Sequence, residues 1–113
     1  NSEVSFDFNS SRLQPAFERS LDKVAGILNR YPRTSIQIVG HTDNVGSEVY
    51  NQQLSEKRSM AVGFALEDRS VVSSRVLTSG RGESEPRATN DSEAGRQLNR
   101  RVEMLIVPEE DIQ

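Results

Sequence analysis

An arginine on the apolar face of a predicted helix is the residue with the clearest chemical potential in this sequence. Arg58 lies four residues after Leu54 and four before Val62, so helical periodicity places it on the stripe that faces the core. One interpretation is that its aliphatic stem follows the core edge while the guanidinium reaches water. The other is a partly buried guanidinium, which requires an anion as its partner.

Asp43 is the candidate carboxylate for the same site. It follows a predicted strand at the start of a strand-to-helix connection, where open α/β sheets bind ligands. Taken alone, it has the alternative interpretation of an ordinary turn residue or helix cap. Together, a carboxylate and a guanidinium beside one loop predict a binding site for a zwitterion. In this site Asp43 binds an ammonium, and Arg58 donates two hydrogen bonds to a carboxylate.

A second group of guanidinium side chains precedes the last predicted strand, at Arg96, Arg100 and Arg101. A solvated basic face is one interpretation of such a group. Strand alternation places Arg101 on the face opposite Val102 and Met104, which leaves it free to lean toward a site. The same alternation turns Arg100 the other way, so Arg100 is expected to matter less.

Motifs for catalysis or metal binding are incomplete in this sequence. His41 and Asp43 stand two residues apart, but zinc needs at least three protein ligands and the chain has no other His and no Cys. No Gly-x-Ser-x-Gly elbow is present, and the Gly80–Gly82 segment lacks the third glycine of a dinucleotide-binding loop. We therefore expect neither a metal nor a cofactor, and a binding protein rather than an enzyme.

The elements that must position these residues follow from hydropathy periodicity. Alternation predicts strands at residues 4–8, 35–40, 75–78 and 101–107, and spacings of three and four predict helices at residues 15–31 and 49–67. Residues 83–98 are mostly polar and predict a long ordered loop with one helical turn at most. The order β-α-β-α-β-β predicts a two-layer α/β sandwich, with two helices packed on a four-stranded mixed sheet.

Composition limits the class of protein. The 113 residues, expected to form one domain over 1–113, carry 14 basic and 17 acidic side chains, and this net charge of −3 disfavours nucleic-acid binding. The sequence contains no apolar run of the roughly 20 residues that span a bilayer. It begins at Asn1 without Met, so we expect a domain excised from a longer protein whose anchor lies elsewhere.

Two longer motifs carry a family resemblance. GHTDNVGSEVYNQQLSEKRS at Gly40–Ser59 and GRQLNRRVE at Gly95–Glu103 resemble the OmpA-like carboxy-terminal domain. This family includes the periplasmic peptidoglycan-binding parts of outer-membrane porin-like proteins, of the peptidoglycan-associated lipoprotein and of flagellar motor stator proteins. The likeness extends from SFDFNSS through GRGESEP to the final VEMLIVP.

The resemblance implies a fold of β-α-β-α-β-β order and a pocket for the meso-diaminopimelate residue of the peptidoglycan stem peptide. In the family, an Asp and an Arg at the positions of Asp43 and Arg58 grip the amino and carboxyl groups of that residue. The supporting and lining positions implied in the same way are Asn51, Arg101, Thr42, Leu54 and the backbone around Asn9. The implied location is the periplasm of a Gram-negative bacterium, as part of an outer-membrane or, less often, inner-membrane protein.

Two other functions stay open at this point. A protein-interaction module would dock a periplasmic regulator through the basic segment from Arg96 to Arg101. A wall hydrolase would release soluble fragments of peptidoglycan. One local departure from the family also stands out: Asp68-Arg69-Ser70 replaces a glycine near the end of the second helix, so a frayed or shifted helix end is expected there.

Overall fold

Four strands and three helices form one α/β unit in the computed structural model, which describes residues 2–109. Their bounds are β1 Ser2–Ser5, α1 Glu18–Arg30, β2 Thr34–Gly40, α2 Glu48–Glu67, β3 Val76–Gly80, α3 Glu93–Asn99 and β4 Arg101–Pro108. A 3₁₀ turn over Pro15–Phe17 leads into α1, because proline suits the first turn of a helix. The predicted order of strands is confirmed, whereas the prediction of two helices is wrong.

The sheet is mixed, as predicted, although the premise of that prediction, that no helix precedes the last strand, is wrong because α3 does. Its strand order is β1-β4-β2-β3, with β4 antiparallel to both β1 and β2 and with β2 parallel to β3. The helix α2 connects the two parallel strands. This connection brings the end of β2 beside the first turns of α2, where the ligand sites of α/β sheets form.

One face of the sheet packs on α1 and α2 to form the core. The buried apolar side chains of this core come from alternate strand positions and from the helix stripes: Val4, Ile36, Ile38, Val102, Met104, Leu21, Val24, Leu28, Val62 and Leu66. Gly40 at the end of β2 allows α2 to approach closely, since a Cβ there would lie 2.0 Å from the backbone oxygen of Ser55. This close approach sets the distance between the β2 end and the polar half of α2.

The first strand is shorter than predicted. It ends at Ser5, and although Phe6 is buried in the core, Phe8 is 56% exposed. The carbonyl oxygens of Asp7 and Ser10 accept hydrogen bonds from Arg58 rather than from a neighbouring strand. The alternation of this segment therefore continues into a loop that is organised by the arginine.

The third helix replaces the predicted loop around residues 93–99. Ser92 caps α3 by accepting a hydrogen bond from the Gly95 backbone nitrogen at 3.0 Å. Gly95 is required because a Cβ at this position would lie 1.9 Å from the carbonyl oxygen of Thr89. The helix has no apolar stripe, and its buried residues are Gly95 and Asn99, so hydropathy periodicity does not detect it.

The end of α2 is well defined rather than frayed. The helix ends at Glu67, and Ser70 takes a left-handed conformation with φ of 71°. The Val71 nitrogen then donates to the Leu66 carbonyl at 3.2 Å. Ser70 thus adopts the backbone conformation that a glycine favours at a helix end.

Candidate functional site

A cavity of about 170 Å³ lies between the end of β2, the first half of α2 and the loop after β1. Six of the residues singled out from the sequence line it: Asn9, Thr42, Asp43, Asn51, Leu54 and Arg58. Arg100 and the side chains of Phe8, Val45 and Tyr50 complete much of the wall. The structure therefore brings the predicted acidic and basic residues to one cavity.

Arg58 is fully buried and is held by backbone oxygens. Its Nε donates to Ser10 O at 2.8 Å, Nη1 to His41 O at 2.9 Å and Nη2 to Asp7 O at 3.0 Å. The guanidinium also lies over the Phe6 ring, with 5.3 Å between Cζ and the ring centroid. A guanidinium has five N–H donors, so within residues 2–109 one N–H on each terminal nitrogen of Arg58 has no acceptor.

Burial has an electrostatic consequence for Arg58. Desolvation lowers its pKa to about 10, Asp43 opposes this shift, and the positive charge of Arg100 adds to it. The side chain is still a cation at neutral pH. A buried cation bonded only to neutral carbonyl oxygens favours an anion as an additional partner.

Asp43 pairs with Arg100 and not with Arg58. Its Oδ2 accepts from Arg100 Nη1 at 3.0 Å, and its Oδ1 accepts from the Val45 nitrogen at 3.0 Å. Both side chains of the ion pair are almost fully buried, at 4% exposure for Asp43 and 3% for Arg100. Each carboxylate oxygen has a second acceptor site, so Asp43 is held in place without being saturated.

Arg100 is fixed by four acceptors in three parts of the chain. Besides Asp43, it donates to Phe6 O, to Glu93 Oε2 and to Gln97 Oε1. Burial lowers its pKa, but the hydrogen bonds to Glu93 and Asp43 outweigh burial, so the net shift is upward. The helix α3 therefore positions Arg100 against Asp43.

The loop that carries Asp43 is braced by neighbouring side chains. Asn51 Nδ2 lies within hydrogen-bonding distance of Asp43 O at 3.3 Å, Val45 O at 3.1 Å and Glu83 Oε1 at 3.0 Å. Thr42 donates through its hydroxyl to Asp43 O at 2.7 Å. Asn51 and Thr42 thus orient the carboxylate rather than present charge of their own.

The remaining predicted site residues divide into two groups. Leu54 supplies an apolar wall, and Asn9, with a left-handed φ of 57°, accepts a hydrogen bond from the Tyr50 hydroxyl. Arg101 does not line the cavity; its guanidinium bonds to Glu103, Asn99 O and Glu85 O. Its link to the site is its backbone oxygen, which accepts from the His41 nitrogen at 2.8 Å.

Arg100 lines the cavity and pairs with Asp43, a position that the sequence analysis did not predict. Strand alternation does not apply to Arg100, because β4 begins at Arg101 and Arg100 is the C-cap residue of α3. The signal that could have found it is the helix start at Ser92 and Glu93, a capping serine followed by an acidic residue. With α3 recognised, Arg100 falls in the connection between α3 and β4.

The basic segment from Arg96 to Arg101 is not the solvated face that its composition suggests. Arg100 and Arg101 are buried at 3% and 5% exposure, and Arg96 bonds to Glu93 and to Asn90 O. This segment therefore presents little free positive charge for a protein partner.

Residues 2–109 contain neither a metal-binding cluster nor a membrane-spanning helix. No group of three or more His, Cys, Asp or Glu side chains is arranged to hold a metal ion there. The same residues include no helix with the length and apolar character needed to cross a membrane.

The chain belongs to the OmpA family, whose sequence pattern it matches over residues 5–100. It is 42% identical to the outer membrane porin F of Pseudomonas fluorescens over 92% of its own length and 32% of that protein. The chain thus spans about a third of this relative. The family match agrees with a binding domain rather than an enzyme.

Solved structures share the fold. The peptidoglycan-associated lipoprotein from Burkholderia pseudomallei superposes with a TM-score of 0.92 at 32% identity, covering 95% of this chain and 91% of that one. The cell wall anchor of the T6SS from Pseudomonas aeruginosa gives a TM-score of 0.78 at 30% identity, covering 96% and 80%. The strand order and the mixed sheet are therefore properties of a known fold.

Proposed function

We propose that this domain binds peptidoglycan and holds a longer envelope protein to the cell wall, and that the ligand group is the free end of meso-diaminopimelate in the stem peptide. The observation that carries the proposal is the cavity in which Asp43 and Arg58 face one space from two walls. The names of two similar structures, a peptidoglycan-associated lipoprotein and a cell wall anchor, support it. The proposed location is the periplasm, as part of an outer-membrane protein.

The chemistry of the ligand matches the charges of the cavity. Diaminopimelate ends in a carbon that carries both an ammonium and a carboxylate. The carboxylate accepts the spare N–H of each terminal nitrogen of Arg58, and the ammonium donates to the open acceptor sites of Asp43. Leu54 packs against the methylene groups of the ligand.

The other predicted residues position the groups that bind the ligand. Thr42 and Asn51 hold the Asp43 loop, and Arg101 holds the strand end through the His41 nitrogen. Arg100 donates a hydrogen bond to Asp43 Oδ2 and holds the carboxylate in the cavity wall. Asn9 lies at the mouth of the cavity, where Tyr50 bonds to it.

The strength of binding follows from these contacts. Charge-assisted hydrogen bonds contribute about 1.5–3 kcal/mol each. Two or three of them, less the cost of ordering a flexible peptide, correspond to dissociation constants of roughly micromolar to millimolar. Many tethered copies on one sacculus then hold the envelope by avidity.

Sedimentation with purified diaminopimelate-type sacculi tests the proposal. We expect the wild-type domain to co-sediment and Asp43→Asn to remain in the supernatant. Asp68→Asn is the matched control, since Asp68 is exposed at the far end of α2 from the site. Wild-type protein that stays in the supernatant, or Asp43→Asn that co-sediments like the control, would contradict the proposal. Soluble wall fragments released by the domain would indicate a hydrolase instead.

A further inference from the structure

His41 is a buried polar side chain that the proposed binding chemistry does not use. Its ring is 1% exposed, and within residues 2–109 neither Nδ1 nor Nε2 has a hydrogen-bond partner. It is the only residue in that part of the chain whose side chain has buried and unbonded polar atoms. Because buried polar groups are almost always hydrogen-bonded, this exception calls for a physical explanation.

The main chain of His41 connects the two charged residues of the cavity. His41 O accepts a hydrogen bond from Arg58 Nη1 at 2.9 Å, and Asp43 follows two residues later. The His41 nitrogen donates to Arg101 O at 2.8 Å, which fixes the chain just beyond β2 against β4. A displacement of His41 therefore changes the position of Asp43 relative to the Arg58 guanidinium.

Three charged groups face the ring from two elements: Arg101 and Glu103 of β4, and Glu85 of the loop after β3. Glu103 Oε1 lies 3.6 Å from Nε2, but Glu103 Oε2 is bonded to Arg101 Nε at 2.7 Å and to Arg87 Nη2 at 3.1 Å. Burial lowers the pKa of His41, and the positive charge of Arg101 lowers it further, whereas Glu103 and Glu85 oppose the shift. The net shift is downward, so the packing of this cluster favours the neutral ring.

Protonation of the ring would disturb this packing. An imidazolium carries two N–H donors, and neither has an acceptor among residues 2–109. The buried charge is relieved when the ring moves toward water, or when Glu103 moves toward the ring and loosens its bonds to Arg101 and Arg87. Both movements alter His41 or Arg101, the two residues that the main-chain hydrogen bond joins beside the cavity.

We propose that His41 is a pH-sensitive positioning residue: its neutral ring keeps Arg58 and Asp43 in the arrangement that binds the ligand, and its protonation weakens binding of the stem peptide. The proposal rests on the proposed function, because the ligand of the cavity reports the change. The free end of diaminopimelate carries one positive and one negative charge, so the direct effects of an imidazolium on the two charges oppose each other. The change in geometry then sets the direction, and the affinity falls as the pH drops.

Isothermal titration calorimetry with a diaminopimelate-containing stem peptide tests the proposal at pH 7.5 and at one pH unit below the folded pKa of His41. We expect the affinity of the wild-type domain to fall about fivefold between the two conditions. The affinity of His41→Phe should be the same in both, since phenylalanine keeps a buried ring that does not titrate. Asp68→Asn removes an exposed carboxylate and retains His41, so this matched control should respond to pH like the wild type. Circular dichroism verifies that each protein is folded in both conditions.

A second measurement uses the wild-type domain alone and stands even where His41→Phe does not fold. A ligand that binds the neutral form more tightly must lower the pKa of His41 in the complex, and the imidazole resonance in NMR gives this pKa with and without the peptide. An unchanged or raised pKa in the complex would overturn the proposal. An equal fall in affinity for wild type and His41→Phe, or a ring that stays neutral down to pH 4.5, would overturn it as well.

Failure of the proposed function gives a different result, in which the stem peptide does not bind the wild-type domain at pH 7.5. The coupling is then tested without a ligand, through the NMR resonance of the Arg58 Nε–H group. A chemical shift of this group that follows the imidazole titration supports the positioning role of His41. A chemical shift that is independent of that titration rejects it.

Discussion

The guanidinium of Arg100 bonds to the carboxylate of Asp43 at 3.0 Å, and both side chains are buried. The acidic residue of the site thus has a cationic partner from the protein itself, whereas the basic residue, Arg58, is bonded to neutral carbonyl oxygens. Within residues 2–109, the charged group of the cavity wall that has no hydrogen bond to a group of opposite charge is therefore Arg58. We infer that recognition of a ligand carboxylate is the stronger part of binding.

The buried pair predicts a large loss of stability when only one partner is removed. Arg100→Ala should lower the free energy of unfolding by about 3–5 kcal/mol, because it leaves the Asp43 carboxylate buried and unpaired. The double variant with Asp43→Ala should lose about 1–3 kcal/mol less than the sum of the single variants. Denaturant unfolding measures all four proteins. Additive losses would show that the two charges are not coupled.

Arg58 combines a structural role with a binding role. Arg58→Ala should lower the free energy of unfolding by about 3 kcal/mol or more, since the Ser10 and His41 oxygens lose the side-chain donor and Asp7 O keeps only the Ser10 nitrogen. Arg58→Lys keeps the charge but loses the planar guanidinium that donates two parallel hydrogen bonds. It should therefore be more stable than Arg58→Ala. It should still bind the stem peptide at least about tenfold more weakly than wild type. Arg12→Ala is the exposed control. An Arg58→Ala protein as stable as this control would contradict the carbonyl contacts as a source of stability.

His41 predicts the direction of a pH dependence. Its side chain is 1% exposed, and within residues 2–109 neither ring nitrogen has a hydrogen-bond partner, although Nε2 lies 3.6 Å from Glu103 Oε1. Burial, followed by the charge of Arg101, lowers its pKa below 6.5, although Glu103 and Glu85 oppose the shift. Between the folded pKa and 6.5, the unfolded chain binds a proton that the folded chain does not. The free energy of unfolding should therefore fall as pH drops below 6.5.

The measurement for His41 is the free energy of unfolding between pH 5 and 7.5 in wild type and in His41→Phe. The histidine contributes a slope of at most about 1.4 kcal/mol per pH unit, which should be absent in the variant. His41 is the single histidine of the chain, so the imidazole resonance in NMR gives its folded pKa directly. A folded pKa above 6.5 would refute the assignment.

Ser70 should be a site of stabilisation. Its φ of 71° is left-handed, a conformation that costs a non-glycine residue about 1–2 kcal/mol. Ser70→Gly removes this cost but gives the unfolded chain more freedom, so a net gain of about 0.5–1 kcal/mol is expected. Thermal unfolding measures it, with Ser73→Gly as a comparison outside the left-handed region. A lower melting temperature for Ser70→Gly would contradict the helix-end geometry.

Periodicity predicted most of the fold because the core is made of alternating strand positions and helix stripes. Ile36 and Ile38, and Val102 and Met104, are buried as their spacing requires. Periodicity did not predict the helix α3, because this helix has no apolar stripe. Polar contacts and the close approach of the chain at Gly95 position it instead. Periodicity also did not predict the loop after Phe6, because the buried guanidinium of Arg58, distant in sequence, bonds to the backbone there.

The direction of a candidate side chain was predictable where helical spacing alone set it. Arg58 faces the core because it shares a helical stripe with Leu54 and Val62. The partner of Asp43 was not predictable, since Arg100 is 57 residues away and approaches from a connection without regular alternation. Ion-pair partners that depend on the tertiary approach of an irregular segment need the structure.

Titration of the domain with two stem peptides tests the central claim most directly, one with meso-diaminopimelate and one with lysine at the same position. Lysine presents the ammonium without the adjacent carboxylate, so the Arg58 fork would be left without its anion. We predict saturable binding of the diaminopimelate peptide and at least about tenfold weaker binding of the lysine peptide. Equal affinities for the two peptides would contradict recognition of a doubly charged amino-acid end by Asp43 and Arg58.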